Sequence, residues 1–410
     1  MLATSLALEP SSSPTLPPSR TVFVAPHGDD AASGTALSHP VATLERARDI
    51  ARRLNAHTVS VSEGVYQLER TLELGPADGG VTWAGLGSVS MSGGVRVDGW
   101  EPVPSPAHAA VRIVRARAPL RAQDRHLFVG GLRASRTRML PADSKALFLG
   151  AVMTDMGFEL AGHHTPLRAG AEFVYPQSTS PWTEPRCAVA RANRTFVEMA
   201  QPCWRNLVHK ACGQAAKGPP TRPSALQGTP GLGAPSEGRG FVENVGWSAI
   251  RAAGEWALEA GYIYYAPRDG EAPSVAVPAL LPTGAPVFSL DAVMPRLELL
   301  VRLTNLTDVS FIGFTFEHAT WLCPGGPDGF VEQQTGCTAL GNDPRNHECA
   351  ADEAWSWKTP GNVQVSKRDA NYRLPTSSCS PPRHPIGRPF GIALSSLRFP
   401  HLAIRISRIC

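Results

Sequence analysis

DVSFIGFTFEHATW, residues 308–321, is the stretch from which the rest of the chain is read. Val309, Phe311, Phe314 and Phe316 are β-formers, and they alternate with Ser310 and Thr315 on either side of Gly313. Such alternation puts the apolar side chains on one face of a strand. The glycine interrupts the run, and a glycine inside a strand pattern marks a bend or a close approach of two backbones. Two short strands joined in this way cannot bury a face alone. They make sense as one rung of a stack in which the next turn of chain supplies the cover.

Composition agrees with many short strands. At 410 residues the chain is long for one ordinary core, but a stack escapes that limit because its core grows along one axis. The 38 Gly and 38 Pro favour strands and turns over long helices. A net charge of +4 without a long basic run gives no reason to invoke nucleic acid or an anionic membrane. No stretch reaches the roughly 18 apolar residues of a membrane span. Residues 1–20 lack a basic n-region and have a short apolar run; they read as a disordered leader, with a truncated or atypical signal peptide as the alternative.

The eight cysteines form no CxxC pattern. Cys203…His209-x-x-Cys212 and His347-x-Cys349 are the nearest approaches to a zinc spacing, and neither fits one, so no metal is expected. Disulfides within 187–212 and within 323–349 are the better reading if the chain is secreted. Two sequons, Asn193-Arg194-Thr195 and Asn305-Leu306-Thr307, also lean toward secretion.

Along the chain, Val22–Val24 reads as a short strand and the following Pro26 to Asp30 as turn chemistry. Asp29 and Asp30 are expected to order that turn rather than hold a metal. Leu44, Ala47, Ile50, Ala51 and Leu54 recur at helical spacing, with Thr43 as N-cap and Glu45 in the first turn. Further short strands follow to residue 133. Residues 148–204 differ in texture and read as an excursion, part strand and part lid. Its Trp and Tyr residues could stack on a sugar, with core packing the competing role. Residues 211–240 are rich in Gly and Pro and read as a disordered insertion. Residues 254–258 and 261–267 read as two strands of a hairpin.

Several of these stretches are similar to right-handed parallel β-helix proteins of the pectin-lyase-like type. Phe23-Val24-Ala25-Pro26, Gly28, Asp29, Gly34-Thr35, Pro40, Thr43-Leu44 and Ala47 resemble the opening of that family, in which the helix caps the solenoid. Ser92-Gly93-Gly94, Gly99-Trp100 and Leu127 to Arg133 resemble later family motifs, although Gly130 stands where Asn is usual. Gly254-Glu255-Trp256, Tyr264-Tyr265 and Gly270-Glu271 give the strongest match. Closest are β-helical glycoside hydrolases of the α-L-fucosidase and xylanase type. The resemblance implies an all-β chain: a right-handed single-stranded parallel β-helix over residues 21–366, with an N-terminal capping helix and an inserted disordered loop. Residues 367–410 lack the rung pattern and are expected to be an atypical, non-native or disordered tail.

The same resemblance implies a carbohydrate-active protein, secreted or extracellular, whose partner is a polysaccharide or glycan. No cofactor is expected, and the oligomeric state is not legible. Glycoside hydrolysis needs two carboxylates flanking the glycosidic bond. In the family, that groove lies largely in coils beyond this chain's point of departure, so the catalytic half is expected to be incomplete. The local candidates are Glu317, His318, Asp328 and Glu332, each with a solvated strand end or turn as the competing reading. Two further classes stand beside the hydrolase: a non-catalytic carbohydrate-binding or surface β-helix, and a polysaccharide lyase.

Overall fold

A computed structural model describes residues 20–106, 109–120, 125–176, 184–201, 203–204, 240–271, 289–322, 324–325, 337–339, 356–358, 363–366, 390–392 and 404–406. Its centre is the stretch that dominates the sequence. Strand Val309–Glu317 lies parallel to strand Thr82–Ser92, with Phe311 opposite Trp83 and Phe316 opposite Met91. Thr82–Ser92 is in turn parallel to Thr58–Gln67, and Thr58–Gln67 to Thr21–Val24. Because alternate side chains share a face, this register builds columns through the core: Val22, Val59, Trp83 and Phe311 in one, Tyr66, Met91 and Phe316 in another. All are buried. The rings of Trp83 and Phe311 stack with centroids 5.7 Å apart, and burial of each such side chain contributes about 1.5–3 kcal/mol.

The glycine of this stretch has the role its position implies. Gly313 sits at φ 75°, where an L side chain is strained. Its carbonyl would lie 2.8 Å from a Cβ on Gly85 of the neighbouring strand. The paired glycines let both strands bend at the same level, and the register slips there, between Ile312 and Phe314.

One side of the core is closed by helix Leu44–Leu54. Thr43 caps it by accepting the Arg46 N–H, and Leu44, Ala47, Ile50 and Ala51 form its buried face. Arg52 fastens the helix to the turn at Pro76–Asp78 through two hydrogen bonds to Asp78, 2.7 and 2.6 Å long. Strands Leu72–Leu74, Val301–Thr304 and Val363–Ser366 form a second set of parallel neighbours, and Leu72, Leu74, Val301 and Leu303 belong to the same core. No helix among the described residues is long and apolar enough to cross a membrane.

Parallel stacking does not continue through the chain. Strand Ile404–Ile406 pairs antiparallel with Val309–Glu317, and Phe390–Ile392 antiparallel with Val363–Ser366. Glu255–Glu259 and Tyr262–Tyr265 form an antiparallel hairpin, extended by Ile113–Arg117 and Glu101–Val103. Gly94–Arg96, Ala292–Pro295, Phe128–Val129 and Leu132–Arg133 make an antiparallel sheet. The excursion at 148–204 contributes most of a six-stranded antiparallel sheet, completed by Phe241–Glu243. The expected single parallel β-helix is therefore incorrect: the chain is mostly β, with several antiparallel and mixed sheets. Alternation reads the same in both pairings. The connections decide, since Gly130-Gly131 at φ 56° and 71° and Ala260-Gly261 at φ 50° and 78° make two-residue turns, which join antiparallel neighbours.

The Trp and Tyr residues described within the excursion are core rather than sugar platforms: Phe158, Phe173, Tyr175 and Trp204 are buried against one another. Cys187 and Cys203 are joined by a disulfide inside this cluster. The expected leader (1–20) and insertion (211–240) lie outside the described residues apart from the last residue of each. So does the expected tail (367–410), apart from the two strands already named, and so do Trp182 and the cysteines at 212, 323 and 349.

A buried ionic network holds the excursion to the rest. Glu172 is 2% exposed and takes hydrogen bonds from Arg125 (2.6 Å) and Arg136 (2.8 Å), while Arg136 and Arg186 also reach Glu243 at 2.9 and 2.8 Å. Burial alone would push the Glu172 carboxyl up; Arg125, Arg136 and Arg186 outweigh it and hold the group at about 2. A folded-state value below the ordinary 4.5 makes the stabilisation fully present above that value and lost as pH falls from there toward 2. Glu172→Gln strands buried guanidinium groups and should cost about 3–5 kcal/mol at neutral pH. Denaturant unfolding from pH 7 down to pH 3 should show a steep acid loss in the wild type and a flatter profile in the variant. Parallel profiles would remove Glu172 as the acid-sensitive group.

Candidate active site

The end of strand Val309–Glu317 opens into a cleft of about 430 Å³. Two features place it there. Strand Ala292–Pro295 pairs with Gly94–Arg96 on one edge and Phe128–Val129 on the other, so Arg96, Phe128 and Asp291 are gathered at one mouth. The parallel register sets Thr315 beside Ser90 and Glu317 beside Ser92, which carries Glu317 and His318 to the same wall.

Within the cleft the Ser90 hydroxyl donates to Glu317 Oε1. The Ser92 hydroxyl is 2.9 Å from His318 Nδ1, and that nitrogen is 3.9 Å from Glu317 Oε1. The Phe128 ring meets the imidazole edge-on, centroids 4.9 Å apart. Glu317 is partly enclosed, with 22% of its side chain exposed, whereas His318 is at 9%. Asp291 is far more open at 69%, its carboxylate 3.8 Å from Arg96. His318 itself adopts φ 58°, a left-handed conformation that costs about 1–2 kcal/mol in a residue with a Cβ. The cleft thus holds two carboxylates, an imidazole, a guanidinium and an aromatic edge.

The segment after His318 is braced from behind. Thr320 Oγ1 lies 3.0 Å from His126 Nδ1, and Arg125 donates to the Leu322 carbonyl while still holding Glu172. Burial, reinforced by Arg133, Arg186, Arg125 and Arg136, pushes His126 down to about 3, so it stays neutral. Glu298 accepts the Leu322 N–H at 2.8 Å, and burial raises its carboxyl above the ordinary range against that bond. Residues 125, 126 and 128 therefore tie the ionic network, Thr320 and the cleft together over four positions.

Of the residues singled out in the sequence, Glu317 and His318 share this cleft, and Asp328 and Glu332 lie outside the described residues. Asp29 and Asp30 sit in the turn: Asp30 accepts the N–H groups of Ala42 and Thr43, and Asp29 that of Ala31. Among the described residues no cluster of His, Cys, Asp and Glu is arranged to hold a metal. The sequence reading missed Asp291, Arg96, Ser90 and Ser92. For the serines a signal existed, because SVSMS and FTFEH share the same parity once the two strands are stacked. For Asp291 none did; only the antiparallel pairing of the strand that follows it brings it to the cleft.

No protein-family model matches the chain, and no curated protein sequence does. A solved structure of a glycoside hydrolase superposes on it with a TM-score of 0.54 at 20% sequence identity, covering 84% of this chain. At that identity the likeness is one of fold, and the chain spans 59% of the length of that hydrolase.

The Ser92–His318 contact can be tested directly. Ser92→Ala should cost about 1 kcal/mol of stability and move the imidazole ¹⁵N resonances of His318, the ring having lost its Nδ1 partner. Unchanged resonances would show that the contact does not form.

Proposed function

We propose that the chain is a glycan-acting protein of glycoside-hydrolase type, working outside the cell, and that the cleft at Glu317 is where it acts. The observation that carries this reading is the presence of Glu317 and Asp291 in one cleft, brought there by elements of two different sheets. Hydrolysis of a glycosidic bond asks for two carboxylates on opposite sides of the scissile bond. In this reading the enclosed Glu317 delivers the proton to the leaving oxygen, oriented by Ser90 and supported by His318. The open Asp291, with room for solvent beside it, acts from the other side as base or nucleophile. The edge of Phe128 offers an apolar surface to the sugar ring, and Arg96 hydrogen-bonds its hydroxyls. The fold likeness to a glycoside hydrolase supports the substrate class. A buried disulfide supports an oxidising compartment.

The test is hydrolysis of a panel of plant and microbial polysaccharides and their oligosaccharides, read by reducing-end release. Wild-type protein should cleave at least one, and Glu317→Gln and Asp291→Asn should each lower kcat by on the order of 10²–10⁴-fold with little change in KM. Binding without turnover in the wild type would replace this reading with the non-catalytic binding protein. An unsaturated product absorbing in the ultraviolet would replace it with the lyase.

A further inference from the structure

We infer that Asn193 is an N-glycan acceptor, and that the glycan stands at the tip of a disulfide-clamped hairpin beside an exposed sheet edge. The motif alone is common; its placement is what distinguishes this copy. Strands Arg186–Ala192 and Phe196–Met199 pair antiparallel, and Asn193-Arg194-Thr195 is the connection between them. All three residues are exposed. The Asn193 side-chain oxygen accepts the Thr195 N–H at 2.8 Å and the Thr195 hydroxyl at 3.2 Å. The hydroxyl that defines the motif is therefore already turned toward the acceptor amide.

The second sequon differs in the burial of its middle residue. Asn305 is exposed, but Leu306 is 4% exposed and belongs to the main core. Both tripeptides are held by backbone bonds: the Thr307 carbonyl accepts the Gly80 N–H at 3.1 Å, and the Thr195 and Arg194 carbonyls accept the Leu160 and His164 N–H groups at 2.8 and 2.9 Å. A transferase must lift the tripeptide off the protein. At Asn305 that also pulls a core leucine out, whereas at Asn193 it breaks the backbone hydrogen bonds from Leu160 and His164 but removes no side chain from the core.

One observation at this hairpin points to the compartment in which this chemistry occurs. Cys187 lies near its base and is bonded to Cys203, so the disulfide closes a loop containing Asn193. Disulfides persist where the chain meets an oxidising lumen, and N-glycans are attached to sequons of secreted chains. The neighbourhood also gives the glycan something to cover. Phe196 pairs with Glu159, and Glu159 with Val152 of strand Val152–Thr154, the terminal strand of this sheet among the described residues. Val152 is 59% exposed and Leu149 71%. Two strand spacings, roughly 10 Å, separate the glycan-bearing turn from this apolar edge, and an uncovered edge invites pairing with another chain.

The reaction is a group transfer. The Asn193 side-chain nitrogen attacks the anomeric carbon of an oligosaccharide carried on a lipid diphosphate. The new carbon–nitrogen bond forms as the carbon–oxygen bond to the diphosphate breaks. The electron pair leaves with the lipid diphosphate, and the amide proton passes to a base of the transferase.

This inference is independent of the cleft and of any hydrolase activity. Its test is translation of the full chain behind a cleavable signal sequence with microsomal membranes, followed by peptide mapping of the protease-protected product. The peptide containing Asn193 should carry an endoglycosidase-sensitive glycan, Thr195→Ala should abolish it, and Thr195→Ser should retain it. A protected chain with bare Asn193, or with a glycan at Asn305 alone, overturns the proposal.

Discussion

Everything else in the structure depends on the register in which Val309–Glu317 lies on Thr82–Ser92. Side chains on a strand alternate, so a slip of one residue would turn Phe311, Phe314 and Phe316 to solvent and bring Ser310 and Thr315 into the core. The glycine pair prevents such a slip. Gly313 and Gly85 approach at a distance that any Cβ would close, and they do so only when the two bends are level. The Trp83–Phe311 stack then adds a favourable contact to the one register the backbone permits. The same register delivers Glu317 and His318 to Ser90 and Ser92. Core and site follow from one constraint.

Local chemistry was legible in the sequence; the direction of pairing was not. The helix at Leu44–Leu54 could be read because its cap, period and buried face all lie within a dozen consecutive residues. The hairpin at Glu255–Tyr265 was legible for the same reason. Gly313 could be assigned to a bend or close approach because a glycine interrupting apolar alternation has few other uses. The extension of parallel stacking to the whole chain failed because the motifs around Gly93, Gly130 and Glu255 are read as strand-plus-glycine whichever neighbour the strand meets. The turn residues Gly130-Gly131 and Ala260-Gly261, at positive φ, made hairpins, Gly94–Arg96 paired antiparallel with the distant Ala292–Pro295, and the sheets became mixed.

The site shows the same division. Glu317 and His318 stand out because they follow directly on the strongest strand of the chain. Asp291 immediately precedes strand Ala292–Pro295, and its place in the same cleft as Glu317 depends on that strand pairing with both Gly94–Arg96 and Phe128–Val129. No spacing rule encodes a cleft that two separate sheets line together. The arginines illustrate the point from another direction. Arg125, Arg136 and Arg186 come from three separate parts of the sequence, and each looks like an ordinary surface cation until the fold closes them around Glu172 and Glu243.

That ionic network also explains how a cleft built from short strands can hold its shape. A side chain that must act on a bound molecule needs a fixed position, and short strands with few ladder bonds supply little stiffness on their own. Here Arg125 grips Glu172 and the Leu322 carbonyl together, the adjacent His126 meets Thr320, and Phe128, two residues on, packs against the His318 ring. Movement of the Glu317–His318 corner would have to break hydrogen bonds to buried charges, which are the expensive ones to lose. His318 is accordingly held in a left-handed conformation that an isolated chain end would relax. The strain is tolerated because the surroundings over-determine the residue, and the result is an imidazole and a carboxylate kept side by side at the wall of the cleft.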